Sequence, residues 1–347
     1  MYKDNHLIIT GSKIKDALLQ LTSLGLDAIL FIVDINKKLL GSVTDGDLRR
    51  GLLNGLTIED NVDNLIRFEP RFISLNDFDI FNLIEYRKQN FKIIPVLNQY
   101  GIIIDLINFS HTKSYLPVDT IVMAGGKGIR LKPLTDKTPK PLLLISNKPI
   151  IEYTIDRLLL FGVKTFWVSI NYLGHQIKDY LNDLNKIEDL NFIEEDKPLG
   201  TIGSASLIKK FKSEYILLTN SDLLTNIDYE DFFIHFLKNN ADISIVTIPY
   251  NITLPYAILE TNKDCVTNIS EKPTYTYYSN AGIYLIKKDC LNLIPHNEFY
   301  NTTDLIEKIL SLKGKVISYP FNGYWLDIGT HSAYAKAEID ISHIKFE

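Results

Sequence analysis

The chain has 347 residues, which suits two domains better than one, because a single hydrophobic core stops growing at roughly 250–300 residues. With 46% apolar and 23% charged residues, its composition is that of a folded globular protein and not of a disordered one. Its 37 basic and 42 acidic side chains give a net charge of −5, without the basic excess of proteins that neutralise nucleic-acid phosphates, so we expect no nucleic-acid partner.

The first residues and the cysteines bear on the cellular location of the protein. Residues 1–6 are polar and do not resemble a signal peptide, and apolar stretches such as residues 28–33 are far shorter than the roughly 20 residues that a membrane span needs. Cys265 and Cys290 lie in no CxxC pair and beside no histidine, so we expect packing residues, with no disulfide and no zinc site. These features predict a cytoplasmic protein without a membrane partner.

A weak internal repeat occupies the first ~115 residues. Apolar residues at helical spacing, followed by two apolar runs separated by a polar turn, predict a helix and two strands in each copy. The predicted elements are residues 14–24, 28–33 and 39–43 in the first copy, and a helix around Leu83 with residues 91–97 and 102–107 in the second. Val33 and Val96, 63 positions apart, are expected to be equivalent, and the two copies are expected to share one core.

The repeat resembles a CBS-domain pair, a family known as an adenosine-ligand sensor and a dimerisation module. In the segment 41–47, Thr44 and Asp47 match the Gly-x-x-Thr-x-x-Asp pattern that contacts ribose and phosphate in ligand-binding members. The resemblance implies an α+β fold, one adenine-nucleotide site and a homo-oligomer. The second copy lacks Thr and Asp at this spacing after Gly101. An alternative stays open, in which Asp47 only caps the helix that continues through Leu48.

A polar segment, residues 111–119 with Pro117, breaks the periodicity and predicts a linker between domains at 1–115 and 119–347. Strand-like and helix-like stretches alternate beyond it. This order predicts a Rossmann-like α/β domain with a mostly parallel, mixed sheet and with ligands at the carboxyl ends of its strands. The predicted strands are residues 120–124, 164–170, 191–195 and 215–219, and the predicted helices are residues 150–161, 175–184 and 202–211.

A glycine-rich segment, residues 122–141, directly follows the first of these strands. Gly125, Gly126 and Gly128 allow the backbone to approach and wrap a phosphate, and Arg130 and Lys140 bring positive charge to the same place. The segment is neither a Walker A loop nor a GxGxxG fingerprint, which disfavours kinase and dehydrogenase activity. Taken without its neighbours, it could also be an ordinary turn between a strand and a helix.

The segment closely resembles the signature of the sugar-1-phosphate nucleotidyltransferases, Ala-Gly-Gly-x-Gly-x-Arg-Leu-x-Pro-Leu-Thr followed by Pro-Lys-Pro. The resemblance implies that Ala124 and the three glycines bind the nucleotide. One departure is Ile129, where the family often has Thr. Further matches follow in the family's order across residues 119–335. They are Gly200 and Thr201 in the nucleobase loop 198–204, Asp222 as a metal ligand, Glu271, Lys272, Asn280 and Gly282 at the sugar phosphate, and Asp327 in the segment 325–330 as the second metal ligand.

Some of these residues have simpler interpretations when taken one at a time. Asp222 could cap the following turn, Lys272 could be a solvated surface lysine, and Trp325 could be a packing residue. The two aspartates fit the implied chemistry without further assumption, because Mg²⁺ prefers hard oxygen ligands.

The implied reaction is attack by a sugar-1-phosphate oxygen on the α-phosphorus of a nucleoside triphosphate, with release of pyrophosphate. Two anions must meet, so charge neutralisation and positioning are the main tasks. Asp222 and Asp327 would hold Mg²⁺ as the cofactor, and Arg130 would draw charge from the triphosphate. Lys140 and Lys272 would flank the sugar phosphate and the reacting α-phosphate.

The combination of a CBS-domain pair with this transferase resembles the guanylyltransferases that make GDP-glucosamine for legionaminic acid, which implies GTP and glucosamine 1-phosphate as substrates. Two alternatives remain. The first keeps the chemistry and changes the substrates to mannose- or heptose-1-phosphate with GTP, or glucose-1-phosphate with UTP or dTTP. The second is a sensor that binds an adenine nucleotide and has an inactive transferase domain.

Overall fold

The computed structural model describes residues 3–344 and divides the chain into two compact units, Met1–Tyr115 and Leu116–Glu347. In the first unit, helices and short strands alternate. Its elements are a 3₁₀ helix Lys3–His6, β1 Leu7–Ile9, α1 Ile14–Leu24, a 3₁₀ helix Gly25–Asp27, β2 Ile29–Val33, β3 Leu39–Thr44, α2 Asp45–Leu53, a 3₁₀ helix Val62–Leu65, β4 Ile73–Ser74, α3 Ile80–Lys88, β5 Ile93–Leu97 and β6 Ile103–Asn108.

The first unit confirms the predicted internal repeat. Its two three-stranded sheets have the orders β1-β2-β3 and β4-β5-β6, each with a parallel pair, an antiparallel pair and a register shift at the same point. The pairs Val33↔Leu39 and Leu97↔Ile103 are 64 positions apart, so the predicted offset of 63 was wrong by one residue. In a strand this matters, because a shift of one residue exchanges the two faces.

The two copies of the repeat also share a core, as predicted. Phe31 and Val33 of β2 pack with Ile93 and Leu97 of β5 in one buried cluster. Helix α1 buries the face formed by its regularly spaced apolar residues against a second cluster, and it ends at Gly25, whose φ of 58° lies in the region that favours glycine.

Asp47 lies at the start of α2 and is 7% exposed. Its carboxylate accepts hydrogen bonds from the backbone N and Oγ1 of Thr44 at 2.9 and 2.6 Å, and from Arg50 and Arg67 at 2.6 Å each. Burial opposes ionisation of this carboxyl group, but these donors outweigh it and lower the pKa of Asp47 below its ordinary value. Asp47 therefore stabilises the helix start, as the simpler interpretation of this residue predicted.

We expect Asp47→Ala to lower the free energy of opening of α2 by about 1–3 kcal/mol at pH 7, because it removes a helix cap and leaves partly buried donors unpaired. Since the pKa of Asp47 is lowered, its contribution is complete above the unfolded value of ~3.9 and is lost as the pH falls through the folded value. Native-state hydrogen exchange of the α2 amides measures the effect. Asp45→Ala, in the same turn but 44% exposed, is the matched control and should change the value by less than about 0.5 kcal/mol.

The second unit is larger and contains the predicted alternation of strands and helices. Its first half comprises β7 Val118–Met123, 3₁₀ helices Ile129–Leu131 and Lys140–Leu142, β8 Leu144–Ile145, β9 Lys148–Pro149, α4 Ile150–Leu160, β10 Thr165–Ile170, α5 Gly174–Leu184, β11 Asp189–Glu194, a 3₁₀ helix Gly203–Leu207 and β12 Tyr215–Asn220. Its second half comprises β13 Leu223–Thr225, α6 Tyr229–Lys238, β14 Ile243–Thr253, β15 Ile258–Asn262, β16 Cys265–Ser270, β17 Thr274–Lys287, a 3₁₀ helix Lys288–Leu293, α7 Thr302–Ser311, β18 Val316–Pro320, β19 Trp325–Asp327 and α8 His331–Asp340.

A seven-stranded sheet with the order β11-β10-β7-β12-β17-β14-β18 organises this unit. Only β17 is antiparallel to its neighbours, so six strands share one direction and the predicted mostly parallel, mixed α/β sheet is confirmed. β7 and β12 lie side by side in the middle, with Thr219 opposite Val122. The segments that follow these two strands therefore leave the sheet at the same edge, where parallel α/β sheets bind ligands.

Two local predictions for this unit were wrong. The predicted helix 202–211 is only a 3₁₀ helix, Gly203–Leu207, because glycine and serine are poor helix formers and the Ser206 hydroxyl bonds back to the Gly203 carbonyl. Cys265 is exposed on β16 and does not pack in a core, whereas Cys290 is partly buried against the main core, as predicted. Burial raises the pKa of the Cys290 thiol to about 11.

No helix within residues 3–344 has both the length and the apolar character needed to cross a bilayer.

Candidate active site

The glycine-rich segment leaves the sheet at the end of β7 and turns back toward it. Where the segment begins, Ala124 N donates a hydrogen bond to the Ser169 carbonyl of β10. Gly128 has a φ of 60°, and a Cβ on it would lie 2.9 Å from Thr135 Cγ2 and 3.1 Å from Lys140 Cβ. The absence of a side chain at Gly128 therefore lets the loop close on Lys140.

Two aspartates meet the side chain of Lys140. Asp222 follows β12, and its neighbour Leu223 begins β13, which pairs with β19 so that Leu223 lies opposite Asp327. The amide of Ile328 donates to the Asp222 carbonyl at 3.0 Å. A two-stranded pairing between distant parts of the chain thus brings together the two aspartates that the sequence predicted as metal ligands.

The Lys140 ammonium lies between the two carboxylates. It makes a short ion pair with Asp222 Oδ2 and lies 3.7 Å from Asp327 Oδ1, and its side chain is only 11% exposed. Burial and the charge of Asp222 raise the pKa of Asp327, and the positive charges of Lys140 and Arg130 oppose this rise. A Cβ on Gly329 would lie 2.7 Å from the Arg130 guanidinium, so a glycine there leaves room for Arg130 beside Asp327.

The buried oxygens of these two carboxylates fit a hard cation. Asp222 Oδ1 is buried and has no hydrogen-bond partner, and Asp327 Oδ1, also buried, has only the Lys140 ammonium nearby, at 3.7 Å. A buried carboxylate oxygen without a partner is unfavourable unless a cation or a hydrogen-bond donor binds to it. Within residues 3–344 no group of three or more His, Cys, Asp or Glu side chains converges as a metal site. Two carboxylates are the usual number for Mg²⁺ that also binds water and substrate phosphates.

A cavity of about 290 Å³ opens beside Asp222 and Lys140. Its lining joins the glycine-rich segment, the end of β12 and the predicted nucleobase loop. The predicted residues that line it are Ala124, Gly125, Gly126, Lys140, Gly200, Thr201 and Asp222. The structure therefore brings the two predicted halves of the nucleotide site into one cavity.

Glu195, Phe299 and Tyr300 were not predicted from the sequence. Glu195, buried at the end of β11, accepts hydrogen bonds from the Ser169 hydroxyl and from the Leu199 amide, which holds the start of the nucleobase loop. The backbone of Tyr300 bonds to Leu199, Ile202 and Gly203, and Phe299 lines the cavity. A charged residue at a strand end was a signal for Glu195, whereas nothing in the pattern indicated the other two residues.

Gly200 has a φ of 79°, and a Cβ on it would lie 2.5 Å from the Tyr300 carbonyl oxygen. We expect Gly200→Ala to destabilise the second unit by about 1–3 kcal/mol, because both the backbone conformation and the contact become strained. Thermal unfolding without ligand measures the effect. Gly126→Ala is the matched control, since a Cβ there meets no atom within 4 Å, and an equal loss of stability in both variants would contradict the prediction.

The predicted sugar-phosphate residues fall into two groups. Asn280 and Gly282 lie beside the end of β12, where Asn280 Oδ1 accepts from the Gly282 amide at 3.0 Å and Asn220 lies against Gly282. Trp325 is half-buried and donates to the Ala281 carbonyl at 3.0 Å, in agreement with a packing role.

Glu271 and Lys272 form the second group and lie in the exposed turn between β16 and β17. No contact described within residues 3–344 joins them to the aspartates. Their place in the sugar-phosphate site stays a prediction.

Comparison with known proteins gives a consistent result. A family model described as nucleotidyl transferase matches residues 119–343. A protein of Sulfolobus acidocaldarius named "Putative mannose-1-phosphate guanyltransferase" is 28% identical over 66% of this chain and 64% of its own length. The bifunctional protein GlmU of Methanococcus maripaludis is 31% identical over 61% of this chain and 51% of its own length. The chain thus spans between half and two thirds of the length of these curated relatives.

One similar solved structure is that of HddC from Yersinia pseudotuberculosis complexed with GMP-PN. It is 27% identical, has a TM-score of 0.50, and covers 65% of this chain and 99% of its own.

Proposed function

Since the chain belongs to the nucleotidyl transferase family, we propose that it transfers a nucleoside monophosphate from a nucleoside triphosphate to a sugar 1-phosphate. A sugar-phosphate oxygen would form a bond to the α-phosphorus while the bond to the β-phosphate breaks, so that pyrophosphate leaves. The observation that carries the proposal is the placement of Lys140 between Asp222 and Asp327, with Lys140 and Asp222 lining a cavity that the glycine-rich segment helps to build.

Each part of the site has a task in this reaction. The backbone N–H groups of the glycine-rich segment are suited to bind the triphosphate, and Arg130 adds positive charge next to Asp327. Lys140 neutralises charge where the two anions meet, which lowers the barrier to their approach. Asp222 and Asp327 would hold Mg²⁺, which supplies further neutralisation of the phosphates when bound.

For the substrates, we propose GTP and glucosamine 1-phosphate, giving GDP-glucosamine for legionaminic acid synthesis. The base is supported by the guanyltransferase name of the Sulfolobus relative and by the GMP-PN bound to HddC, both of which are properties of those proteins. The sugar rests only on the combination of a CBS-like pair with this transferase. Mannose- or heptose-1-phosphate with GTP, or glucose-1-phosphate with UTP or dTTP, are the alternatives.

For the first unit, we propose a CBS-domain pair that binds one adenine nucleotide near Thr44 and Asp47. The repeated sheets of this unit support the proposal. Because four donors already occupy the Asp47 carboxylate, a ligand that bonds to it must displace at least one of them. The cytoplasmic location stays a prediction.

A substrate panel tests the proposed reaction. The full chain is incubated with Mg²⁺, one of GTP, UTP, dTTP or ATP, and one of glucosamine-, mannose-, heptose- or glucose-1-phosphate, and pyrophosphate release is measured. We expect the highest kcat/KM for GTP with glucosamine 1-phosphate. A different best pair would replace the proposed substrates, and no release with any pair would favour the non-enzymatic sensor.

A further inference from the structure

Part of the large sheet of the second unit extends beyond its neighbours as a two-stranded ribbon. β18 pairs with β14 only through Ile243–Thr247, and β12 pairs with β17 only between Thr219 and Tyr215 on one side and residues 283–287 on the other. Residues 248–253 of β14 and 274–279 of β17 pair only with each other among the described strands. We call these two segments the tyrosine ribbon.

The tyrosine ribbon has one apolar face that is open to solvent. Tyr250 lies opposite Tyr277 and Ile252 opposite Tyr275, and directly opposed residues point to the same face. These four side chains are between 41% and 61% exposed. The other face is polar in its middle, where Thr276 bonds to Asn251. An exposed aromatic face of this kind is typical of a protein–protein contact.

The two edges of the tyrosine ribbon differ in how they are protected. The β14 edge contains Pro249, which lacks an N–H group and is typical of edges that do not pair further. The β17 edge, residues 274–279, has the sequence Thr-Tyr-Thr-Tyr-Tyr-Ser, with no proline and no charge. Five of its six residues are Thr or Tyr, which have high β propensity. The β17 edge is therefore the one that is available for a further strand.

The sequence of the β17 edge is complementary to itself. When two copies run antiparallel with Thr276 opposite Thr276, Tyr275 of one protomer lies opposite Tyr277 of its partner, and the same pair recurs across the two-fold axis. Thr274 then lies opposite Tyr278. Aromatic–aromatic and Thr–Thr pairs are among the favourable cross-strand pairs. In this register Tyr275 and Tyr277 of both copies form one continuous face.

We propose that the chain forms a two-fold dimer in which the β17 edges of two copies pair antiparallel about Thr276. The pairing makes a four-stranded sheet in the order β14, β17, β17 and β14. It covers the open β17 edge, and it doubles the width of the aromatic face so that neighbouring tyrosines pack on each other. The same surface of each copy is used, as a two-fold axis requires.

A cysteine placed on the axis tests the pairing in the full chain. In a Cys265→Ser background, Thr276→Cys puts two cysteines opposite each other with Cα atoms about 4.5–5.5 Å apart, which is within disulfide reach. We expect mild oxidation to link most of the protein into covalent dimers on a non-reducing gel. Asn251→Cys, directly opposite Thr276 in the ribbon, is the matched control, because its two copies would be roughly 14 Å apart, or three strand spacings.

A charge at the same position gives a second, reversible readout. Thr276→Lys places two lysines opposite each other, and like charges in this position oppose pairing. We expect the dimer dissociation constant, measured by sedimentation equilibrium, to rise at least ~10-fold, because the two lysine ammonium groups repel each other at the axis. Thr253→Lys, at the far edge of the same face, should leave it unchanged. A monomeric wild-type chain, equal crosslinking at positions 276 and 251, or a dimer that Thr276→Lys does not weaken would each overturn the proposal.

Discussion

Asp222→Asn is expected to lower kcat/KM for the best substrate pair by at least ~10³-fold, with little change in the unfolding temperature. Asparagine keeps the shape of the side chain but removes the negative charge that attracts Lys140 and that would bind Mg²⁺. One carboxylate oxygen of Asp222 is buried without a partner and the other faces Lys140, so neither caps a turn. Initial rates of pyrophosphate release across both substrate concentrations measure the loss.

The control for this variant is Asp183→Asn, on the exposed side of α5, which removes the same charge away from the cavity. Its rate should equal that of the wild type. If Asp222→Asn instead kept its turnover and lost stability, Asp222 would be a structural residue, and the proposed reaction centre would be wrong even if the chain proved to be a transferase.

Lys140→Gln is expected to lower kcat/KM by roughly 10²–10⁴-fold, because it removes the cation that lies between two carboxylates in a mostly buried position. Buried charges are screened little by water, so the loss of this one is felt strongly. Lys140→Arg should retain part of the activity, since it keeps the charge but replaces a compact ammonium with a larger planar group. Steady-state kinetics with saturating Mg²⁺ measures both variants.

Lys132→Gln is the matched control for Lys140, since Lys132 is in the same glycine-rich segment but is 58% exposed and paired with Asp136 on the surface. Its effect on kcat/KM should be less than about threefold, as is usual for an exposed ion pair. Equal losses in Lys132→Gln and Lys140→Gln would mean that the segment acts through its overall charge and not through the position of Lys140.

The errors in the sequence-based prediction have identifiable physical causes. The offset of the repeat was wrong by one residue because strand register depends on the partner strand, which apolar spacing does not reveal. The helix expected at 202–211 is short because hydrogen bonds to Tyr300, about a hundred positions away, hold its first residues in another conformation. Glu195 was missed because its role depends on the Ser169 hydroxyl, 26 positions away, and on a loop conformation that turns the Leu199 amide back toward it.

The sequence by itself determined the two-part organisation expected around Pro117, the α/β alternation and the residue types of the candidate site, because these depend on local periodicity and on the chemistry of each side chain. Only the tertiary structure decided how they meet. Pairing of β13 with β19 places Asp327 next to Asp222, and the turn at Gly128 places Lys140 between them. These contacts join segments far apart in the chain, so they follow from strand pairing and packing and not from any local pattern.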